Sequence, residues 1–240
     1  VTELRDAREQ LVAAERVAAW QEIARRIAHE IKNPLFPIQT SIETLQRCYD
    51  KQHPDLDEIF AESTTTILEE VERLKNIVGE FSRFARLPKP QPQPLDLKEL
   101  LPSITSLYAD AQVPVQIEIP EDLPTVMADR DQLTQVLVNL LQNAQEALAA
   151  QDNARITLNV SADQDWMVLQ VADNGPGFDE SLAARIFTPY FTTKDKKGGT
   201  GLGLAITHRV ITDHGGQIEA RSMPGEGAVF TVRLPLAKVS

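Results

Sequence analysis

The sequence has little of several things, and each shortage excludes a class of protein. Cys48 is the one cysteine among 240 residues, so no internal disulfide can form and the chain suits a reducing compartment. No apolar run reaches about 18 residues, the length typical of a transmembrane helix, and no signal peptide is visible. Basic residues are outnumbered, with 24 Lys and Arg against 35 Asp and Glu, which argues against non-specific binding to nucleic acid.

What is present is typical of a globular protein, with 42% hydrophobic and 25% charged residues. Because the chain opens with Val1 and not with Met, we expect a fragment or a processed form of a longer protein. We expect this fragment to be cytoplasmic. A parent protein anchored in the inner membrane upstream of residue 1 is compatible with the sequence.

Two long helices are predicted in the first third of the chain. Apolar or small residues at alternating three- and four-residue spacing indicate a heptad seam over 1–19, which we interpret as a coiled-coil signal helix. The stripe continues to residue 49, and another runs over 57–86 after a polar turn. A hairpin of two such helices leaves apolar surface uncovered, so we expect two copies to pair into a four-helix bundle.

Four prolines within residues 87–94 predict a semi-rigid linker. After it, short strands alternate with helices, and Asp129 is placed to cap a helix that ends near residue 149. Strands outnumber strand–helix–strand units, so the expected fold is an α/β sandwich, a mixed sheet with helices on one face. The predicted domains are 1–19, 20–88 and 89–240.

His29 lies in the segment RRIAHEIKNPLFPIQ of the first helix. At 100° per residue it points about 160° away from the apolar stripe, so we expect it to be exposed, with Asn33 beside it. Pro34 and Pro37 follow and predict a bend. A neutral imidazole can attack phosphorus near pH 7, and Glu30 can assist by accepting from its other N–H. A single exposed histidine is more often a plain solvated residue, so this interpretation depends on the segments downstream.

The helix over 129–149 carries Asn139 and Asn143 beside its apolar stripe. Asparagine is unfavourable inside helices, so two of them one turn apart suggest a function. An amide oxygen suits Mg²⁺, which keeps waters and substrate phosphates as its other ligands. Two surface asparagines with ordinary hydrogen bonds explain the pattern equally well.

Two glycine-rich segments follow. In VADNGPGF, Asp173 ends a predicted strand and can accept from an exocyclic amine, while its glycines let a flat base approach the backbone. A tight turn is the competing explanation. In IFTPYFTTKDKKGGTGLGLAI, the polar middle predicts a mobile lid, with Lys194 available to neutralise phosphate. The helix that follows begins at glycines whose backbone N–H groups can hold phosphate, and the missing GxxxxGK[ST] order excludes a Walker A loop.

These segments together resemble the sensor histidine kinase family in content and in order. HEIKNPL is similar to the family's H box, NLLQNA to its N box, and DNGPG, FTPYF and GGTGLGL to the G1, F and G2 boxes of the GHKL-type ATP-binding fold. The resemblance covers about residues 20–235. HEIKNPLFPIQ is most similar to the nitrogen-regulation type, from which Phe36 departs because a threonine is expected there.

The resemblance implies a role for each segment. It makes His29 the phosphoacceptor, Glu30 its acid/base partner and Asn33 a phosphatase position. It makes Asn143 the Mg²⁺ ligand and Asp173 the residue that binds adenine. The other residues that it implies in ATP binding are Asn139, Gly175, Gly177, Lys194, Gly199, Thr200, Gly201, Leu202 and Gly203.

The implied cofactors are ATP and Mg²⁺, and the implied partners are a second copy of the chain and the receiver domain of a response regulator, with no nucleic acid. Two other functions compete with this one. An ATPase of the gyrase or chaperone kind would hydrolyse ATP without a phosphorylated intermediate. A dimeric scaffold with a degenerate nucleotide site would have no activity.

Overall fold

A computed structural model describes residues 2–85, 88–109, 111, 113–193 and 201–237. The chain divides into two compact units, the first built on the helices up to residue 86 and the second on most of the chain after it. Among the described residues, none of the helices combines the length and the apolar character needed to cross a membrane.

The first unit is a helical hairpin. Helix α1 spans Thr2–Asp50 and α2 spans Leu56–Ala85, each within one residue of the predicted ends. Helix α1 continues through Pro34 and Pro37, and the bend expected there stays a prediction. Helix α2 tolerates a run of three threonines because each hydroxyl donates to a backbone carbonyl in the preceding turn.

Only part of the hairpin's apolar surface is buried within one chain. Ile27 and Pro34 of α1 and Ile77 of α2 are buried. Other large apolar side chains remain exposed: Leu35, Ile42 and Tyr49 on α1, and Phe60, Leu68 and Val78 on α2. The predicted stripe therefore divides into a part that packs within the hairpin and a part that one chain leaves open to solvent.

The second unit has three helices and seven strands among the described residues. In chain order they are β1 Gln93–Leu95, α3 Leu97–Thr105, β2 Val115–Glu118, β3 Val126–Ala128, α4 Arg130–Leu148, β4 Ile156–Asp163, β5 Trp166–Asp173, α5 Gly203–Asp213, β6 Gln217–Met223 and β7 Gly227–Pro235. The helix predicted after Asp129, with Asp129 as its cap, and the helix predicted to begin at the glycines are confirmed as α4 and α5.

Five strands form one mixed sheet in the order β2-β4-β5-β7-β6, in which only β2 and β4 pair in parallel. Every second residue of β4 and β5 is buried over most of their length, as expected when one face is covered. The register aligns Leu158, Val171 and Phe230 across three strands of that face. The apolar sides of the helices supply the rest of this core, which confirms the predicted α/β sandwich.

The short strands β1 and β3 were not predicted. They pair antiparallel, with Leu95 opposite Val126 and both side chains buried. Strand β1 lies partly inside the segment 87–94 predicted as a linker. Pro94 is tolerated there because a proline, which has no N–H to donate, can occupy an edge strand. The predicted linker therefore ends inside the second unit.

Replacement of a core leucine should destabilise the fold far more than replacement of an exposed one. Leu137→Ala removes a fully buried side chain from α4, and we expect a loss of about 2–5 kcal/mol in the free energy of unfolding. Leu107, which is 73% exposed, is the matched control, and Leu107→Ala should change stability by less than about 0.5 kcal/mol. Thermal and urea unfolding of both variants measure this; equal losses would contradict the assigned core.

Candidate functional site

His29 lies on an exposed face of α1, as the helical period predicted. Asn33 and Phe36, four and seven positions further on, share that face, and Phe36 is 72% exposed. Glu30 is half-buried and takes part in an interaction of its own. As the next residue of the helix, it is attached about 100° around the axis from His29. The helix therefore presents an imidazole and an amide together to solvent.

Helix α4 begins at Asp129, whose carboxylate accepts from the N–H groups of Asp131 and Gln132. Ten residues later, the Asn139 amide nitrogen donates to the carbonyl of Gly203 at 3.2 Å. Asn139 therefore joins the middle of α4 to the first turn of α5.

Asn143 lies one turn beyond Asn139 and is half-buried. None of the residues that the structure describes makes a hydrogen bond with its side-chain amide. One turn further, Ala147 packs against Gly175, where a β-carbon would come 3.5 Å from the Ala147 methyl. Asn143 therefore lies between the two glycine-rich segments. One contacts α4 a turn before it, at Asn139, and the other contacts α4 a turn after it, at Ala147.

The segment after β5 is held by its own polar groups. One carboxylate oxygen of Asp173 accepts from the Gly175 N–H at 2.9 Å, and a β-carbon on Gly175 would stand 2.8 Å from that oxygen. The Asn174 side chain bonds instead to the segment before β4: its amide oxygen accepts from the Arg155 N–H and its amide nitrogen donates to the Asn153 carbonyl. Asp173 and Gly175 thus face α4 while Asn174 fixes the loop from outside.

A second contact, not predicted from sequence, supports this loop from the β6–β7 hairpin. Gly177 has φ +65° and a β-carbon there would come 2.2 Å from the Met223 carbonyl. The Ser222 hydroxyl accepts from the Phe178 N–H and donates to the Gly227 carbonyl. The sequence contains a signal for this contact, the turn PGEG at 224–227 that joins β6 to β7.

The two ends of the predicted lid meet. The Tyr190 N–H donates to the Gly201 carbonyl at 2.8 Å, and Gly201 has φ +67° with its α-carbon packed against the Tyr190 backbone. Three predicted site residues, Lys194, Gly199 and Thr200, lie outside the described residues.

Helix α5 starts directly after this point. Leu202 occupies the capping position without a side-chain hydrogen bond to the helix, and its own side chain is buried. Leu202 therefore does not cap the first backbone N–H groups of α5, and such N–H groups at a helix start favour an anion. These N–H groups begin at Gly203, which lies beside Asn139 of α4. Asn143 is one turn of α4 further on.

The structure thus brings together the described residues that the sequence assigned to ATP: Asn139, Asn143, Asp173, Gly175, Gly177, Gly201, Leu202 and Gly203. It places His29, Glu30 and Asn33 in the other unit. Comparison with known proteins shows the same division. Residues 19–90 match the family described as "His Kinase A (phospho-acceptor) domain", and residues 128–238 match "Histidine kinase-, DNA gyrase B-, and HSP90-like ATPase".

Named relatives include the nitrogen regulation protein NtrY of Azorhizobium caulinodans, 39% identical over 234 residues. The alignment covers 95% of this chain and 30% of that protein. The signal transduction histidine-protein kinase AtoS of Escherichia coli is 34% identical over 98% of this chain and 38% of its own length. The chain spans about a third of the length of these curated relatives.

Two solved structures are also similar. The histidine kinase ThkA, solved in complex with the response regulator protein TrrA, has a TM-score of 0.75 and 30% identity, over 99% of this chain and 68% of that one. Full-length ShkA in complex with AMPPNP has a TM-score of 0.63 and 29% identity, over 76% of this chain and 40% of its own.

The fold and the two matched domains define a two-component signalling protein with an ATP-binding domain. The chain belongs to the sensor histidine kinase family, and its relatives include kinases of the NtrY type.

Gly227 offers a test of the loop contact. It has φ +89°, and a β-carbon would come 2.0 Å from the Asp173 carbonyl oxygen. We expect Gly227→Ala to displace Asp173 and to weaken binding of a non-hydrolysable ATP analogue at least tenfold, measured by calorimetry.

Gly225 is the matched control, because it has φ +85° but nothing within 4 Å of the position of a β-carbon. Gly225→Ala should cost about 1 kcal/mol of backbone strain and leave the dissociation constant within about twofold. Equal losses of affinity in both variants would show that backbone strain, and not the contact with Asp173, is responsible.

Proposed function

We propose that this chain is the catalytic core of a sensor histidine kinase. It binds Mg²⁺–ATP in the second unit, transfers the γ-phosphoryl group to His29, and passes it to an aspartate of a response regulator. The observation that carries the proposal is that one chain contains both an exposed histidine in a phosphoacceptor hairpin and a glycine-rich site built around Asn143 and Asp173.

The reaction follows from the groups present. One ring nitrogen of His29 forms a bond to the γ-phosphorus while the bond from that phosphorus to the bridging oxygen breaks, and ADP leaves with the electron pair. The second ring nitrogen then carries an acidic proton, which Glu30 on the neighbouring position accepts directly or through water. Catalysis otherwise consists of positioning and charge neutralisation.

Different residues of the second unit bind different parts of the nucleotide. The carboxylate of Asp173 accepts from the adenine amine, and the backbone N–H groups at the start of α5 receive the phosphates. Within the described residues, no group of three His, Cys, Asp or Glu side chains could hold a metal ion. The half-buried Asn143 amide oxygen suits Mg²⁺ as a single protein ligand, and the bound ion would neutralise phosphate charge.

A response regulator is the proposed second substrate. The similar kinase ThkA was solved with such a partner, and this chain aligns with it over 99% of its length. Phe36 lies seven residues beyond His29 on the same face and is 72% exposed, so it would contact an incoming receiver domain. Asn33 between them can orient a water, which would let the same surface remove phosphate from the regulator.

The uncovered apolar faces of the hairpin fit a second copy of the chain. Leu35, Ile42 and Tyr49 follow at seven-residue intervals and are 47%, 44% and 73% exposed. An open groove of about 800 Å³ lies at the turn end of the hairpin, lined among others by Leu45, Tyr49, Leu56 and Phe60. We therefore propose a homodimer in which two hairpins complete a four-helix bundle.

The phosphorylated residue distinguishes a kinase from an ATPase. Incubation with labelled ATP should give a label that is lost in acid and kept in base, because a phosphoramidate hydrolyses in acid. His29→Gln should abolish it while leaving ATP binding unchanged. An acid-stable label would refute the assignment of His29, and steady ATP hydrolysis by His29→Ala without any label would support an ATPase of the gyrase kind.

The dimer has its own test. Leu35→Asp and Ile42→Asp place charge on the uncovered face of α1, and we expect each variant to sediment as a monomer at micromolar concentration. Phe36→Asp is the matched control on the His29 face and should remain a dimer. Dissociation of all three variants would show that the bundle uses a different face of α1.

A further inference from the structure

Asp129 lies where three segments of the second unit meet. One carboxylate oxygen accepts from the N–H groups of Asp131 and Gln132 and so caps α4. The other accepts from the N–H of Gln91, in the proline-rich segment, at 3.0 Å. Next to it, the buried side chain of Gln132 donates to the carbonyl of Pro88 at 3.0 Å.

His214 fixes Asp129 from the opposite side. Its Nε2 accepts from the Asp129 N–H at 3.0 Å, and its Nδ1 lies 2.8 Å from the Val210 carbonyl. Because a backbone N–H can only donate and a carbonyl can only accept, Nε2 is the acceptor from Asp129 and Nδ1 the donor to Val210. His214 is buried at the end of α5, so the start of α4 is joined to the end of α5.

The same two helices meet again at the nucleotide site. Asn139 of α4 bonds to Gly203 in the first turn of α5, so the helices run antiparallel and are fastened at both ends of α5. Burial by itself raises the pKa of Asp129, but the pKa is lowered below its ordinary value, and the N–H groups of Gln91, Gln132 and Asp131 contribute to that lowering. The carboxylate therefore stays charged as an acceptor.

We propose that Asp129 anchors the interdomain linker to the α4–α5 pair that carries the nucleotide site, as a positioning residue for phosphoryl transfer. The effect on transfer rests on the function proposed above; the anchor itself does not. Without it, among the described residues only the bond from Gln132 to Pro88 holds the segment. Whenever that single bond opens, residues 88–92 join the free linker, each adding at most about 3.6 Å of reach. A longer linker lowers the effective concentration of His29 at the bound nucleotide, because this concentration falls with about the −3/2 power of linker length.

Asp129→Asn separates anchoring from capping. Asparagine caps helices as well as aspartate does, so its oxygen keeps the bonds to Asp131 and Gln132. Its amide nitrogen then meets the Gln91 N–H, and two donors cannot bond. Gln91→Pro removes the same bond from the linker side, and Gln91→Ala, which keeps the N–H, is the matched control.

Hydrogen exchange of the Gln91 amide, which does not depend on activity, tests the anchor. We expect exchange at least tenfold faster in Asp129→Asn than in the unaltered chain and no change in Gln91→Ala. Unchanged exchange in Asp129→Asn would overturn the anchor, whether or not the chain is a kinase.

Autophosphorylation kinetics test the positioning role. We expect Asp129→Asn and Gln91→Pro to lower kcat about three- to fivefold with KM for ATP unchanged, as for a linker two to three times longer. The double variant should be no slower than either single one, because both remove the same bond. A raised KM, an unchanged kcat or additive effects would overturn this role; an unaltered chain that forms no phosphohistidine would refute the proposed function instead.

Discussion

Helix α4 holds the candidate nucleotide site together because it contacts both glycine-rich segments while its apolar side is buried in the core. Asn139 bonds to the start of α5 and Ala147 packs on Gly175, so the intervening turn presents Asn143 between them. Because Asn139 and Ala147 lie about 12 Å apart along one rigid helix, α4 fixes the spacing between the two segments. The core packing of its leucines is therefore also what sets the geometry of the site.

The loop of Asp173 shows why this site contains so many glycines. Three of them, at 175, 177 and 227, lie where a β-carbon would come within 3 Å of another atom, and two have positive φ. Close contact between backbones holds the loop without long side chains, so the space in front of Asp173 stays open. From the β6–β7 hairpin, the Ser222 hydroxyl accepts from the Phe178 N–H and the Gly225 N–H donates to the Pro176 carbonyl.

The two tasks that we propose for the hairpin fall on different faces of one helix. His29, Asn33 and Phe36 occupy one exposed face, whereas Leu35 and Ile42 lie on another. A face for phosphotransfer has to remain accessible, and a face for pairing has to become buried. A helix of 3.6 residues per turn allows both within two turns of each other.

Much of this protein could be predicted from its sequence alone. Periodicity predicted α1 and α2 to within one residue, and the exposure of His29, because a helical period converts directly into a direction around the axis. The excess of strands over strand–helix–strand units predicted the α/β sandwich, and the motifs in the family's order predicted residues that lie together at the candidate nucleotide site. Contacts between segments distant in sequence were decided only by the tertiary structure. Such contacts include the pairing of strand β1, the contacts of Ser222 and Gly227 with the loop of Asp173, and the bonds of Asp129 to Gln91 and His214. Local propensity and residue spacing cannot predict these pairings, because they describe only neighbours in the sequence.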